Sequence, residues 1–196
     1  MNLATQPVLR HLAPLLALAG LLLLLPGCST SRSVKPQLPL ATNVNLPRFM
    51  GDWFVIANIP TFIERDAHDA VESYELRPDG TIATTFRFHR GAPDGPLKVY
   101  HPTGFIHDPV TQAEWRMQFL WPFKAAYLIL QVDDAHETTI IGVPSRRYVW
   151  IMARTPTIPD ARYQETVRFL DSVGYDTSRL QKVPQSGRNP AAEARK

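Results

Sequence analysis

The chain has 196 residues, a formal net charge of +3, 44% hydrophobic residues and a single cysteine, Cys28, which excludes an intrachain disulfide. Roughly 140–150 residues remain between the two termini, one domain's worth, and a domain of that size buries ~68–70% of its unfolded surface without covalent staples. The lysines and arginines are scattered through turns and form no clustered basic footprint, so no nucleic-acid partner is expected.

Residues 1–27 read as a signal peptide. Arg10 and His11 precede an apolar run over residues 12–25, which is shorter than the ~20 residues of a spanning helix and ends in small residues. Leu25-Pro26-Gly27-Cys28 resembles the lipobox of bacterial lipoproteins, which implies cleavage before Cys28 and acylation of its thiol. Ser29 follows where an acidic residue would signal retention, so the same resemblance implies the outer membrane, facing the periplasm. Residues 28–45 are polar, carry Pro36 and Pro39 and show no period. They read as a lipidated N-terminus and flexible tether, about 20–25 Å end to end as a coil.

From Gly51 the signals are those of strands. Residues 53–59 are apolar throughout, and residues 70–76 lead into the strong turn Arg77-Pro78-Asp79-Gly80. Residues 82–88 alternate, with Ile82, Thr84, Phe86 and Phe88 on one face. Residues 97–106 form a strand interrupted at Pro102, and residues 114–120 align Trp115, Met117 and Phe119. Residues 127–132, 138–143 and 148–154 complete eight strands joined mostly by hairpin-length loops, which predicts an antiparallel barrel or sandwich. The period then becomes helical: Tyr163, Thr166, Val167, Leu170 and Val173 make a stripe that ends at Gly174. Residues 180–184 could add a short strand, and residues 185–196 read as a disordered tail.

Gly51-x-Trp53 with Ala57, followed about a hundred residues later by residues 148–156 with Arg154, resembles the lipocalin family, in particular its bacterial outer-membrane and apolipoprotein-D-like members. The resemblance spans residues 45–184. It implies an all-β fold: an eight-stranded antiparallel up-and-down barrel over residues 46–184, with a C-terminal α-helix packed outside. In such a barrel Gly51, Trp53 and Arg154 form a structural motif, the arginine lying over the indole at the closed end. A guanidinium stacked on an indole contributes ~0.5–2 kcal/mol, and its forked donors can satisfy carbonyls of the turn at residues 46–50.

The inward candidates, expected to contact a ligand, are Val55, Ala57, Tyr74, Phe86, Phe88, Phe105, Trp115, Met117, Phe119 and Trp150. The partner implied is a small hydrophobic ligand such as a fatty acid or lysophospholipid, carried for membrane maintenance or stress response. Glu72 shares a predicted face with Tyr74 and would point inward, or into solvent after a one-residue slip. If inward, it would need Arg87, Arg90 or Lys98 to compensate it, or a cationic head group.

No Gly-x-Ser-x-Gly elbow, phosphate-binding glycine loop or His-Glu-x-x-His motif is present, so no enzyme, cofactor or metal is assigned. Glu64-x-Asp66-x-His68 reads as a solvated loop. The alternatives are a lipid-modifying enzyme on the same fold, using Glu72 or Asp108, and a filled-barrel interaction module. Trp121-Pro122-Phe123 with Phe62 and Ile63 would form an apolar rim serving membrane contact, a homodimer or lid closure.

Overall fold

The structure, a computed structural model, describes residues 37–193. The signal peptide, Cys28 and the tether up to residue 36 lie outside the described residues.

A closed sheet forms from strands β1 (Gly51–Ile59), β2 (Ala67–Leu76), β3 (Thr81–Arg90), β4 (Leu97–Tyr100), β5 (Thr103–Ile106), β6 (Glu114–Leu120), β7 (Phe123–Val132), β8 (Thr138–Gly142) and β9 (Val149–Ala153). Every pairing is antiparallel between neighbours, and β9 returns to pair with β1. β4 pairs one half of β3 and β5 the other, so the two are a single bent stave broken at Pro102. That proline cannot donate to the ladder, but its carbonyl still accepts from the Thr84 amide at 3.1 Å. The result is the eight-stranded barrel that the lipocalin resemblance implied, where strand spacing alone left a sandwich open.

Helix α1 (Leu46–Phe49) closes one end. Asn45 caps it by accepting from the Arg48 amide, and Leu46 and Phe49 are buried. The hairpins that join β1 to β2, β6 to β7 and β8 to β9 lie at the other end, the mouth.

Helix α2 (Asp160–Ser172) packs outside the barrel, burying Thr166 and Leu170 against a cluster that includes Ile56, Ile140 and Ile151. Its N-cap position is Pro159, with no side-chain cap, although the sequence pattern suggested one at Thr157.

Two segments expected to be free are packed. Residues 37–45 run along β7: the Ala41 amide donates to the Ile129 carbonyl at 2.9 Å, and Leu38 and Ala41 are buried. Residues 185–193, read as a disordered tail, are also ordered. Strand β10 (Gln181–Lys182) pairs with Ala57 and Asn58 of β1, where β2 has already diverged. The Asp69 carboxylate then accepts from the Ser186 amide at 2.6 Å and from its hydroxyl at 2.7 Å. Helix α3 (Pro190–Glu193) follows, with Ala191 fully buried. The sequence of this tail is polar, and its order comes from β1 backbone groups that β2 leaves unpaired.

Candidate functional site

The closed end is built around Trp53. Its indole is fully buried, donates to the Phe49 carbonyl at 2.8 Å and lies 5.0 Å from the Phe49 ring. The Arg154 guanidinium sits 3.7 Å from the centre of the Trp53 ring. Its three nitrogens donate to the carbonyls of Asp52, Arg48 and His136. Gly51 has φ +95°, and a Cβ there would sit 3.5 Å from an Arg154 nitrogen. A positive φ at that close approach explains the glycine. Arg154 thus stitches the turn before β1 to the hairpin before β8.

Above this plug the interior is walled by aromatic rings. Tyr74 meets Trp115 edge-on at 5.6 Å, Trp115 stacks on Tyr127 at 5.6 Å, and Tyr127 stacks on Trp150 at 6.4 Å. Phe86 and Phe88 lie 5.1 Å apart on the opposite wall. The Tyr74 and Tyr127 hydroxyls bond to each other. Burial, and after it the Glu72 charge, push both phenols up well above the ordinary value.

Glu72 points inward. It pairs across the sheet with Trp53 on one side and Phe86 on the other, and it sits between Ala70 and Tyr74, both in the interior cluster. Burial pushes its carboxyl up to about 8; the Glu64 charge adds to the rise and a hydrogen bond with Tyr74 opposes it. Glu64, from the loop after β1, is buried at the mouth. It accepts from the Thr61 amide and the Trp150 indole, both at 2.9 Å. Burial raises its pKa, and these bonds hold the rise back.

The inward set differs from the expected one at three positions. Ala57 belongs to the outer cluster, because an extra residue between Val55 and Ala57 shifts β1 against β9 and turns Asn58 inward in its place. Phe105 faces out, with the Lys124 ammonium 3.4 Å from its ring centre. The inward place beside it belongs to Gly104, where a Cβ would come within 3.2 Å of both Ile82 Cβ and Met117 Sδ. Phe119 is 54% exposed, because β6 and β7 lose register after Met117 and the hairpin flares away from the barrel. Val55, Tyr74, Phe86, Phe88, Trp115, Met117 and Trp150 face the interior.

Tyr127 and Glu64 are interior residues that the strand pattern did not single out. Alternation of Tyr127 with Ile129 could have revealed the first; Glu64 lies in an irregular loop and carries no periodic signal. The cations named as counter-ions to Glu72 lie elsewhere. Arg87 reaches the Ser73 hydroxyl, and Arg90 donates to the Ile63 carbonyl. Lys98, opposite Phe88 in the ladder, is separated from Glu72 by aromatic rings. Asp108 caps the turn at Val110 and Thr111 on the surface and is not brought near Glu72. Among the described residues no group of three or more acidic, histidine or cysteine side chains could hold a metal ion.

Solved structures with the same fold include insecticyanin from the tobacco hornworm Manduca sexta, with a TM-score of 0.61 and 16% identity over 78% of this chain and 86% of that one. Lobster apocrustacyanin A1 also has a TM-score of 0.61, with 14% identity over 80% and 95%. In sequence, temperature-induced lipocalin-1 of Arabidopsis thaliana is 31% identical over 165 residues, 80% of this chain and 87% of that protein. Outer membrane lipoprotein Blc of Escherichia coli strain K12 is 28% identical over 178 residues, 90% of this chain and 99% of that protein. The model of the lipocalin-like domain matches residues 44–185. With the barrel, the Trp53–Arg154 plug and the outer helix in place, the chain belongs to the lipocalin family.

Proposed function

We propose that the protein carries one small amphiphile, such as a fatty acid or a lysophospholipid, with its apolar part inside the barrel. The observation that carries this reading is where accessible surface survives inside. Trp53, Trp115 and Phe88 keep none, whereas Glu72 and Phe86 keep 7%, Tyr127 6%, and Trp150 is only half-buried. These residues stand above the plug on β2, β3, β7 and β9, and that is where we place the ligand. An eight-stranded barrel has room for one such ligand.

Energetics suit exchange. Moving a chain from water into the pocket yields at most ~0.8 kcal/mol per methylene, reduced by ordering costs, and far less when the chain leaves a bilayer. The sequence supports a membrane source. The Leu25-Pro26-Gly27-Cys28 motif suits acylation at Cys28, and relatives of similar length are named outer membrane lipoproteins. We therefore place the protein on the bacterial outer membrane, facing the periplasm, as a non-enzymatic carrier for membrane maintenance or stress. Two acyl signals or more would make the anchorage stable.

Displacement of a fluorescent acyl probe from the delipidated full-length protein tests the carrier role. The parent protein should bind the probe at micromolar concentration or below. Phe86→Trp, which fills the proposed space, should weaken binding at least about tenfold, the expected loss from ~1.4 kcal/mol of overpacking. A parent that binds no probe, or a variant that binds it equally well, would show that the interior is not the site.

A further inference from the structure

Glu72 is more than nine-tenths buried in a barrel whose interior is mostly aromatic and aliphatic. Among the described residues its hydrogen-bond partner is the Tyr74 hydroxyl, which also bonds to Tyr127. The second acidic side chain that acts on it, Glu64, adds repulsion. Among the described residues the groups that act on Glu72 are Tyr74 and Glu64, neither of them basic. Lys98 faces inward nearer the mouth, on the far side of the Phe86, Phe88 and Tyr100 rings. Burying a carboxyl without a cation is costly, and replacing it by an apolar residue of similar size is usually neutral or stabilising.

The surroundings complete a receptor. Tyr127 and Trp150 form a stacked wall on β7 and β9, Phe86 stands beside Glu72 on β3, and surface remains open at each of them. A carboxylate facing π-surfaces is a recognition arrangement for an ammonium group: the rings attract it through their quadrupoles and the carboxylate supplies the counter-charge. A fatty-acid carboxylate placed there would instead meet Glu72 and Glu64.

We infer that the interior site, accepting the carrier reading above, binds amphiphiles whose inserted polar end is a primary or quaternary ammonium, with Glu72 as its counter-charge. Glu72 selects against carboxylate head groups at this depth. Because its carboxyl titrates near pH 8 in the empty protein, binding a cation releases a proton, and affinity rises with pH. Glu64, Tyr74, Tyr100, Tyr127 and Lys98 are the other titratable groups facing this space. The Tyr74 and Tyr127 phenols stay neutral over that range.

The test is competition against a fluorescent acyl probe on the delipidated full-length protein. The competitors are an alkyltrimethylammonium salt and the alcohol and carboxylate of the same chain length. At pH 9, where Glu72 is ionised, the ammonium compound should displace the probe at a concentration at least about tenfold below the carboxylate. Its affinity should rise about tenfold from pH 7 to pH 9, as a group titrating near 8 ionises, with no contribution from the ligand itself. In Glu72→Gln, which keeps the shape, both the preference and the slope should vanish while the alcohol binds as before. The pH slope of the parent protein is read without any variant, so a folding defect in Glu72→Gln would not remove the test. Carboxylate binding equal to ammonium binding, or an ammonium affinity unmoved by pH, overturns the inference. If the alcohol displaces the probe and the ammonium shows no advantage, only this inference fails. If the protein binds neither the probe nor any of the three, the carrier reading fails with it.

Discussion

Glu72 carries a carboxyl that folding makes harder to ionise. Its native value of about 8 stands above the ordinary 4.5, chiefly through burial. Between those values the folded protein holds a proton that the unfolded chain has released. The stability from this group is therefore complete below about pH 4.5 and declines as pH rises through about 8. Glu64 is displaced in the same direction for the same reason. Glu72→Gln should flatten this decline and exceed the parent's stability at about pH 9 by roughly 2–4 kcal/mol, since a tenfold change in proton affinity corresponds to ~1.36 kcal/mol. Urea midpoints collected from pH 5 to about pH 9 would show it; parallel curves for the two proteins would mean that Glu72 ionises freely in the folded state. From the sequence, Glu72 could face either way, since a slip of one residue reverses a strand's faces. Its pairing with Trp53 and Phe86 settles the register.

Strand β1 is the element on which most of the fold depends. Its first half pairs with β2, its second half with β10, and its other edge with β9 across a bulge. The bulge explains the misplaced Ala57, because one extra residue reverses the alternation beyond it. On the side that β2 abandons, the Val183 amide donates to the Ile56 carbonyl and the Gln185 amide side chain to the Val55 carbonyl, both at 2.9 Å. Asp69, fully buried and at φ +51°, locks the strap by holding Ser186. Asp69→Ala should lower stability by ~1–3 kcal/mol, since it removes both acceptors from Ser186. It should also make residues 185–193 the first site of limited proteolysis. A variant as resistant as the parent would mean that β10 alone holds the segment.

At the scale of the whole barrel, the two ends have separate work. Arg154 and Trp53 hold the closed end, while Glu72, Tyr127, Phe86 and Trp150 line the interior above it. The mouth carries exposed apolar side chains at Trp121 and Phe123 on the flared β6–β7 hairpin. Arg154→Ala should cost ~2–3 kcal/mol, from the lost stacking and the loss of charged donors to three carbonyls. Affinity for an acyl probe should stay within about twofold of the parent under conditions where both are folded. Thermal unfolding and probe titration on the same samples separate the effects. A large loss of affinity without loss of stability would place Arg154 in ligand binding.

The sequence by itself determined the class of fold and its closed end. Period-two runs separated by turn residues can bury one face only in a barrel or sandwich, and the lipocalin resemblance carried by Gly51, Trp53 and Arg154 implied the plug. The helical stripe on α2 was legible for the same reason, because periodicity is a local property. Only the tertiary structure decided what lies inside. A bulge in β1 exchanges Ala57 for Asn58, close contacts of Ile82 and Met117 reserve the inward place for Gly104, and a loop carries Glu64 over the mouth to Trp150. None of these follows from alternation. Each depends on atoms brought together from strands far apart in the chain.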